Sequence, residues 1–155
     1  MLHFAYGANM HRDVMRRHAA QAQPIGAAAL AGHRFIITAD GYASVAPALA
    51  HTVHGVLWRI TPRDRATLDA WENVAGKLYR AEILPVRHAA RLRPALVYIA
   101  RPLRTGQPKA SYMELVVAAA QTWHLPSGYI SSLQHWLPRR PMGAGPRKLG
   151  DIGWT

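Results

Sequence analysis

The sequence predicts an α+β domain built on a mixed or antiparallel sheet. Two observations carry this. Strand-like segments dominate the first hundred residues, with one helix-like segment embedded among them, and helix-like segments follow. The chain has 155 residues, the size of one hydrophobic core, and with 50% hydrophobic and 17% charged residues it is not a wholly disordered polypeptide.

The elements follow in order. His3 to Tyr6 is a short apolar and aromatic strand that stops at Gly7. In Asn9 to His18, Met10, Val14, Met15 and His18 recur at helical spacing, with Asn9 placed to cap the helix. Ala29 to Thr38 is the next strand, and Asp40-Gly41 is a hairpin signal leading into Tyr42 to Pro47. His51 to Ile60 is a further strand, in which Gly55 marks a bulge.

Thr61-Pro62-Arg63-Asp64 starts a helix: the threonine caps, the proline takes the first helical position, and the acid follows three residues after the cap. This helix runs through Leu68, Trp71 and Val74 and should end near Gly76. Strands follow at Tyr79 to Val86 and Leu96 to Ala100. Ser111 and Glu114 have the spacing of a second capping box, opening a helix whose stripe is Tyr112, Leu115, Val116, Ala119, Ala120 and Trp123. A short helix fits Ser127 to Leu137. The predicted division is a domain over 1–137 and a basic tail over 138–155, rich in Gly and Pro, without periodicity and expected to be irregular.

Composition narrows the chemistry. Without cysteine there is no disulfide framework, thiolate metal site or cysteine nucleophile. Lys and Arg exceed Asp and Glu by 11, a surplus that suits an anionic small substrate, anionic lipid or nucleic acid without choosing among them. The arginines are spread over every element, and only Arg139, Arg140, Arg147 and Lys148 make a local cluster. No apolar run has the length of a membrane span, and the N-terminus lacks the pattern of a secretion signal, so a soluble cytoplasmic protein is expected. Nine histidines are present, but His51 and His54 fall on opposite faces of a strand and no His-x-x-x-His occurs, so no metal site is expected.

Among the acids, Glu114 and Asp64 belong to capping boxes and Asp40 to a turn. Asp69 has ion-pair spacing to Arg65, Asp13 lies among Arg12, Arg16 and Arg17, and Glu82 suits a cross-strand pair with Arg80. Glu72 differs. It lies on or beside the apolar stripe, next to Trp71, where desolvation raises a carboxyl pKa and Asp69 one turn away raises it further. Such a group suits a general base; its position alone better suits a glutamate at the stripe's edge that reaches solvent.

Two separated motifs identify a resemblance. Phe4-Ala5-Tyr6-Gly7-Ala8-Asn9-Met10 resembles the N-terminal motif of the γ-glutamylcyclotransferase-like (AIG2-like) family. Gly55-Val56-Leu57-Trp58, Thr61, Leu68-Asp69, Glu72, Val74, Gly76 and Tyr79 resemble the second motif in order and spacing, and the match continues to residue 137. The resemblance implies a small mixed β-barrel flanked by helices, with a pocket beside the first turn. It also implies an enzyme that cyclises a γ-glutamyl amine or amide to 5-oxoproline and releases the amine. In that reading Glu72 is the catalytic acid/base, and Tyr6, Gly7, Ala8, Asn9, Tyr79 and Tyr112 bind a small anionic γ-glutamyl substrate, with no metal or organic cofactor. As residues, Tyr6 reads as a core aromatic, while Tyr79 and Tyr112 fit core or pocket wall. Ala8 stands where the family motif has serine, and Asn73 where glycine usually follows the glutamate. The alternatives are a ligand-binding member without catalysis and a basic nucleic-acid-binding domain.

Overall fold

The computed structural model describes residues 1–102 and 104–138, so the expected basic tail lies outside the described residues but for Pro138. Its five strands form a closed barrel: β1 (Leu2–Ala5), β2 (Gln23–Ile37), β3 (Ala43–Arg59), β4 (Tyr79–His88) and β5 (Arg91–Ala100), neighbouring in the order β1-β3-β2-β4-β5. Every pairing is antiparallel except the closing contact of β1 with β5, where His3 faces Leu96 in parallel. The sheet is therefore mixed, as the resemblance implied.

Four α-helices accompany the barrel among the described residues: α1 (Arg12–His18), α2 (Pro62–Trp71), α3 (Ala110–Thr122) and α4 (Ser127–Gln134). Phe4, Leu57 and Leu96 from three different strands are fully buried in one continuous core, joined there by Met113, Val116 and Ala120 of α3. Trp123, just past α3, donates its ring N–H to the carbonyl of Met10 at 2.7 Å and so ties this helix to the turn after β1. No helix is long and apolar enough to cross a membrane, among the described residues.

Several local expectations change. The two strands read before and after Pro47 are one strand, β3, in which residues 48–51 bulge opposite Gly32. The bulge does not sit at Gly55, which pairs regularly with Ala28. Gly55 is needed for close approach instead: a β-carbon there would stand 2.3 Å from the carbonyl oxygen of Ala5 and 2.9 Å from the Phe4 ring. Asn9 does not cap α1. It lies in a single 3-10 turn (Ala8–Met10), and His11 caps the helix by accepting the Asp13 N–H on Nδ1. Likewise α3 starts one residue before Ser111, at Ala110, with Lys109 at its N-cap and no side-chain capping bond. Glu82 pairs with Arg80 along its own strand rather than across strands.

The Thr61 start of α2 has both halves of its capping box, and the buried Asp64 carboxylate also accepts the N–H of Gln21 at 3.1 Å. This helix ends at Trp71, short of Gly76, because Asn73 takes the left-handed conformation (φ 49°). Its side-chain oxygen accepts the Gly76 N–H at 3.1 Å, and its carbonyl accepts Leu78 N–H at the same distance. The chain is thereby turned back into β4, leaving Glu72 as the C-cap residue rather than a member of the helical stripe.

Candidate active site

Four elements converge on one cavity of about 260 Å³. The end of β1 brings Tyr6, Gly7, Ala8 and Asn9. The abrupt end of α2 brings Trp71 and Glu72, the first residue of β4 is Tyr79, and the first turn of α3 supplies Tyr112. All seven residues singled out from the sequence thus line the same space. They come from positions more than a hundred residues apart because barrel closure sets the end of β1 beside β3 and β5.

Glu72 is partly buried, and desolvation raises its carboxyl pKa to about 7. The expected contribution of Asp69 is not among the causes: that carboxylate points elsewhere, accepting the Tyr98 hydroxyl at 2.7 Å and meeting Arg65 at 3.6 Å. No ion pair engages Glu72 among the described residues. Burial raises the hydroxyl pKa values of Tyr6, Tyr79, Tyr98 and Tyr112, and the Glu72 charge adds to each rise. These hydroxyls stay protonated around a carboxylate whose charge can change near neutrality.

The tyrosines do more than line the wall. Tyr79 donates to the carbonyl of Ala43 at 2.9 Å, while Tyr112 accepts the N–H of the same Ala43 at 3.1 Å. The Ala8 amide also acts on the Tyr112 hydroxyl. Ala8 thus supports the tyrosine while it also lines the cavity. Tyr6, read as a core aromatic, is buried and donates its hydroxyl to the carbonyl of Tyr98 while still touching the cavity.

Further wall residues escaped the sequence reading. His18 hydrogen-bonds through Nδ1 to the Asn9 side-chain oxygen at 2.8 Å, and its ring stacks on Trp71 at 3.8 Å between centroids. Burial, helped by Arg17, lowers its pKa to about 4, so it is neutral at physiological pH. His3 packs edge-on against Tyr98. Adjacency of Trp71 to Glu72 is a signal that was available in the sequence; the contacts of His18 with Asn9 and Trp71 follow no local spacing rule. Groups of three or more metal-ligating side chains are absent among the described residues.

The arrangement offers one carboxyl poised near pH 7, a neutral hydrogen-bonding wall and a turn of backbone amides. That set can move a proton within a bound substrate.

A family model described as the AIG2-like family matches residues 52–133. No curated protein matches the sequence. Among solved structures, a gamma-glutamyl cyclotransferase superposes with a TM-score of 0.85 at 20% identity, covering 98% of this chain and 96% of its own. The uncharacterized protein loc79017 from Homo sapiens gives 0.84 at 20% identity, with 97% and 96% covered. A yeast gamma-glutamyl cyclotransferase specific to glutathione gives 0.60 at 12% identity, over 88% of this chain and 95% of its own. At these identities the structural likeness establishes a shared fold.

Proposed function

The chain belongs to the AIG2-like family, and on that premise we propose that it is a γ-glutamylcyclotransferase-type enzyme with Glu72 as general base and then acid. The observation that carries the proposal is a glutamate of raised pKa, about 7, in a cavity walled by five tyrosines and the turn after β1.

The α-amine of a γ-glutamyl substrate attacks its own γ-carbonyl, forming the C–N bond of a five-membered lactam while the original γ-amide C–N bond breaks. The electrons of that bond leave with the amine. Starting from the ammonium, two of its three protons must reach the departing nitrogen, and one carboxylate can carry them in turn. No protein nucleophile is required. Holding the substrate folded supplies the proximity that ring closure needs. A carboxyl with a pKa near 7 is ionised often enough to accept a proton and acidic enough to return it. The cationic surplus of the chain favours an anionic substrate.

The test is release of 5-oxoproline from a panel of γ-glutamyl amino acids, γ-glutamylamines and γ-glutamyl peptides. Turnover of any member supports the enzyme. Tight binding with no turnover across the panel replaces it with a ligand-binding member of the fold. On a confirmed substrate, Glu72→Gln should lower kcat by about 10²–10⁴-fold, the usual worth of general acid–base catalysis. A variant as fast as the parent removes Glu72 from the role.

A further inference from the structure

Beyond Tyr42, Leu78 and Tyr79, the cavity beside Glu72 shares its wall with a second one of about 520 Å³. Three cationic residues, Arg101, Arg104 and Lys109, line this annex against a single acid, Asp40. All four are exposed, and none is in an ion pair among the described residues. A carboxylate entering the annex therefore meets a surplus of positive charge not already neutralised by a partner.

The annex is preformed. Its two sides are clasped by backbone bonds from Ala39 N–H to the Arg104 carbonyl at 2.8 Å and from Gly106 N–H to the Ile37 carbonyl at 2.9 Å. The clasp is tight enough that a β-carbon on Gly106 would stand 2.7 Å from the backbone of Ala39 and Thr38. Lys109 is held toward the shared wall, donating from Nζ to the Tyr42 hydroxyl at 3.0 Å. The Tyr42 ring in turn meets Tyr112 edge-on at 5.2 Å.

We propose that this annex binds the amine half of the substrate, and that this half carries two negative charges, as in a γ-glutamyl conjugate of a dicarboxylic amino acid. The inference rests on the cyclotransferase reading and narrows its substrate class. A glutamyl unit reacting beside Glu72 projects its departing amine across the shared tyrosine wall, where Arg101, Arg104 and Lys109 meet its carboxylates. Three cations against Asp40 leave room for two anions.

Three compounds test it: γ-glutamyl-glutamate, γ-glutamyl-alanine and γ-glutamyl-ethylamine, whose amine halves carry two, one and no carboxylates. The expected order of kcat/KM for 5-oxoproline release follows that series, with steps of about tenfold for each charge-assisted contact. The span should shrink at high salt, which screens exposed charges. In a protein combining Arg101→Gln, Arg104→Gln and Lys109→Gln the ratio between the first compound and the last should collapse by at least tenfold, and each single substitution should narrow it. Because a ratio within one protein is read, a general loss of activity does not imitate the effect. Equal efficiency on all three compounds, a preference for the ethylamine, no gain from the second carboxylate, or an undiminished ratio in the triple variant overturns the annex and leaves the cyclotransferase reading standing. Silence on all three and on the wider panel removes that reading, and the annex with it.

Discussion

Gly7 and Tyr112 occupy each other's space: a β-carbon on Gly7 would stand 2.8 Å from the Tyr112 hydroxyl oxygen. The glycine of the first motif thus makes room for a protein side chain. This packing requirement is one that the motif alone did not disclose. Gly7→Ala is expected to lower stability by about 1–3 kcal/mol through overpacking. Combining it with Tyr112→Phe, which deletes the atom in conflict, should cost less than the two changes added together. Strict additivity in chemical denaturation would sever the link.

The paired grip on Ala43 changes what the tyrosine variants should do. As wall residues contacting only substrate, Tyr79 and Tyr112 would lose their hydroxyls without loss of stability. Each hydroxyl instead satisfies a backbone group of Ala43. Tyr79→Phe leaves that carbonyl unpaired and Tyr112→Phe leaves the N–H unpaired, at about 1–3 kcal/mol each. Both variants should melt several degrees below the parent, with catalytic efficiency reduced as the wall loosens. A parent-like melting temperature in either would free that hydroxyl for substrate.

Glu72 makes opposite demands on stability and activity. Its folded pKa, about 7, lies above the ordinary carboxyl value of 4.5. Between those values the folded chain holds more protons than the unfolded one, so this group's contribution to stability falls as pH rises through that window. Glu72→Gln, which mimics the neutral form, should match the parent near pH 4 and exceed it at pH 8 by on the order of 1–3 kcal/mol. Activity should run the other way, rising with pH to a plateau as the base ionises near 7. A Gln variant no more stable than the parent at pH 8 would contradict the burial of this carboxyl.

His3 sets the response to acid. It is buried, its ring Nδ1 bonds the carbonyl of Leu96 at 3.0 Å, and burial lowers its pKa from 6.5 to about 4. In that interval the unfolded chain binds the extra proton, so the stability contributed by neutral His3 is complete above pH 6.5 and is lost as pH falls toward 4. His18 acts in the same direction. Unfolding free energy measured at pH 6.5 and pH 4 should fall on acidification, and the fall should be smaller in His3→Gln. An equal fall in both proteins would assign acid sensitivity elsewhere.

Local rules were legible where one segment contains the whole cause. The Thr61 cap, with Pro62 and Asp64, needs only four consecutive residues and formed as read. Asp40-Gly41 turned the chain between β2 and β3, with Gly41 at a φ of 88° that glycine adopts without strain. The α3 stripe was equally readable, since its helical repeat repeats the side facing the core. Where a cap competes with neighbouring structure, the local pattern misleads. Asn9 was taken by His18, and Ser111 lay one residue inside a helix that Lys109 opens.

The amino-acid sequence by itself determined the element order, the single core and, through two spaced motifs, the family and the residues that gather in one cavity. Only the tertiary structure decided what those residues do to one another. Closing the barrel through the parallel contact of His3 with Leu96 brings the turn after β1 to the end of α2, and the left-handed Asn73 stops α2 where Glu72 meets that turn. Desolvation depends on every group packed around a carboxyl, and hydrogen-bond partners such as Ala43 and Tyr112 are 69 residues apart in the chain. The raised pKa of Glu72, the tyrosine grip on Ala43 and the cationic annex therefore come from long-range packing, which no local pattern encodes.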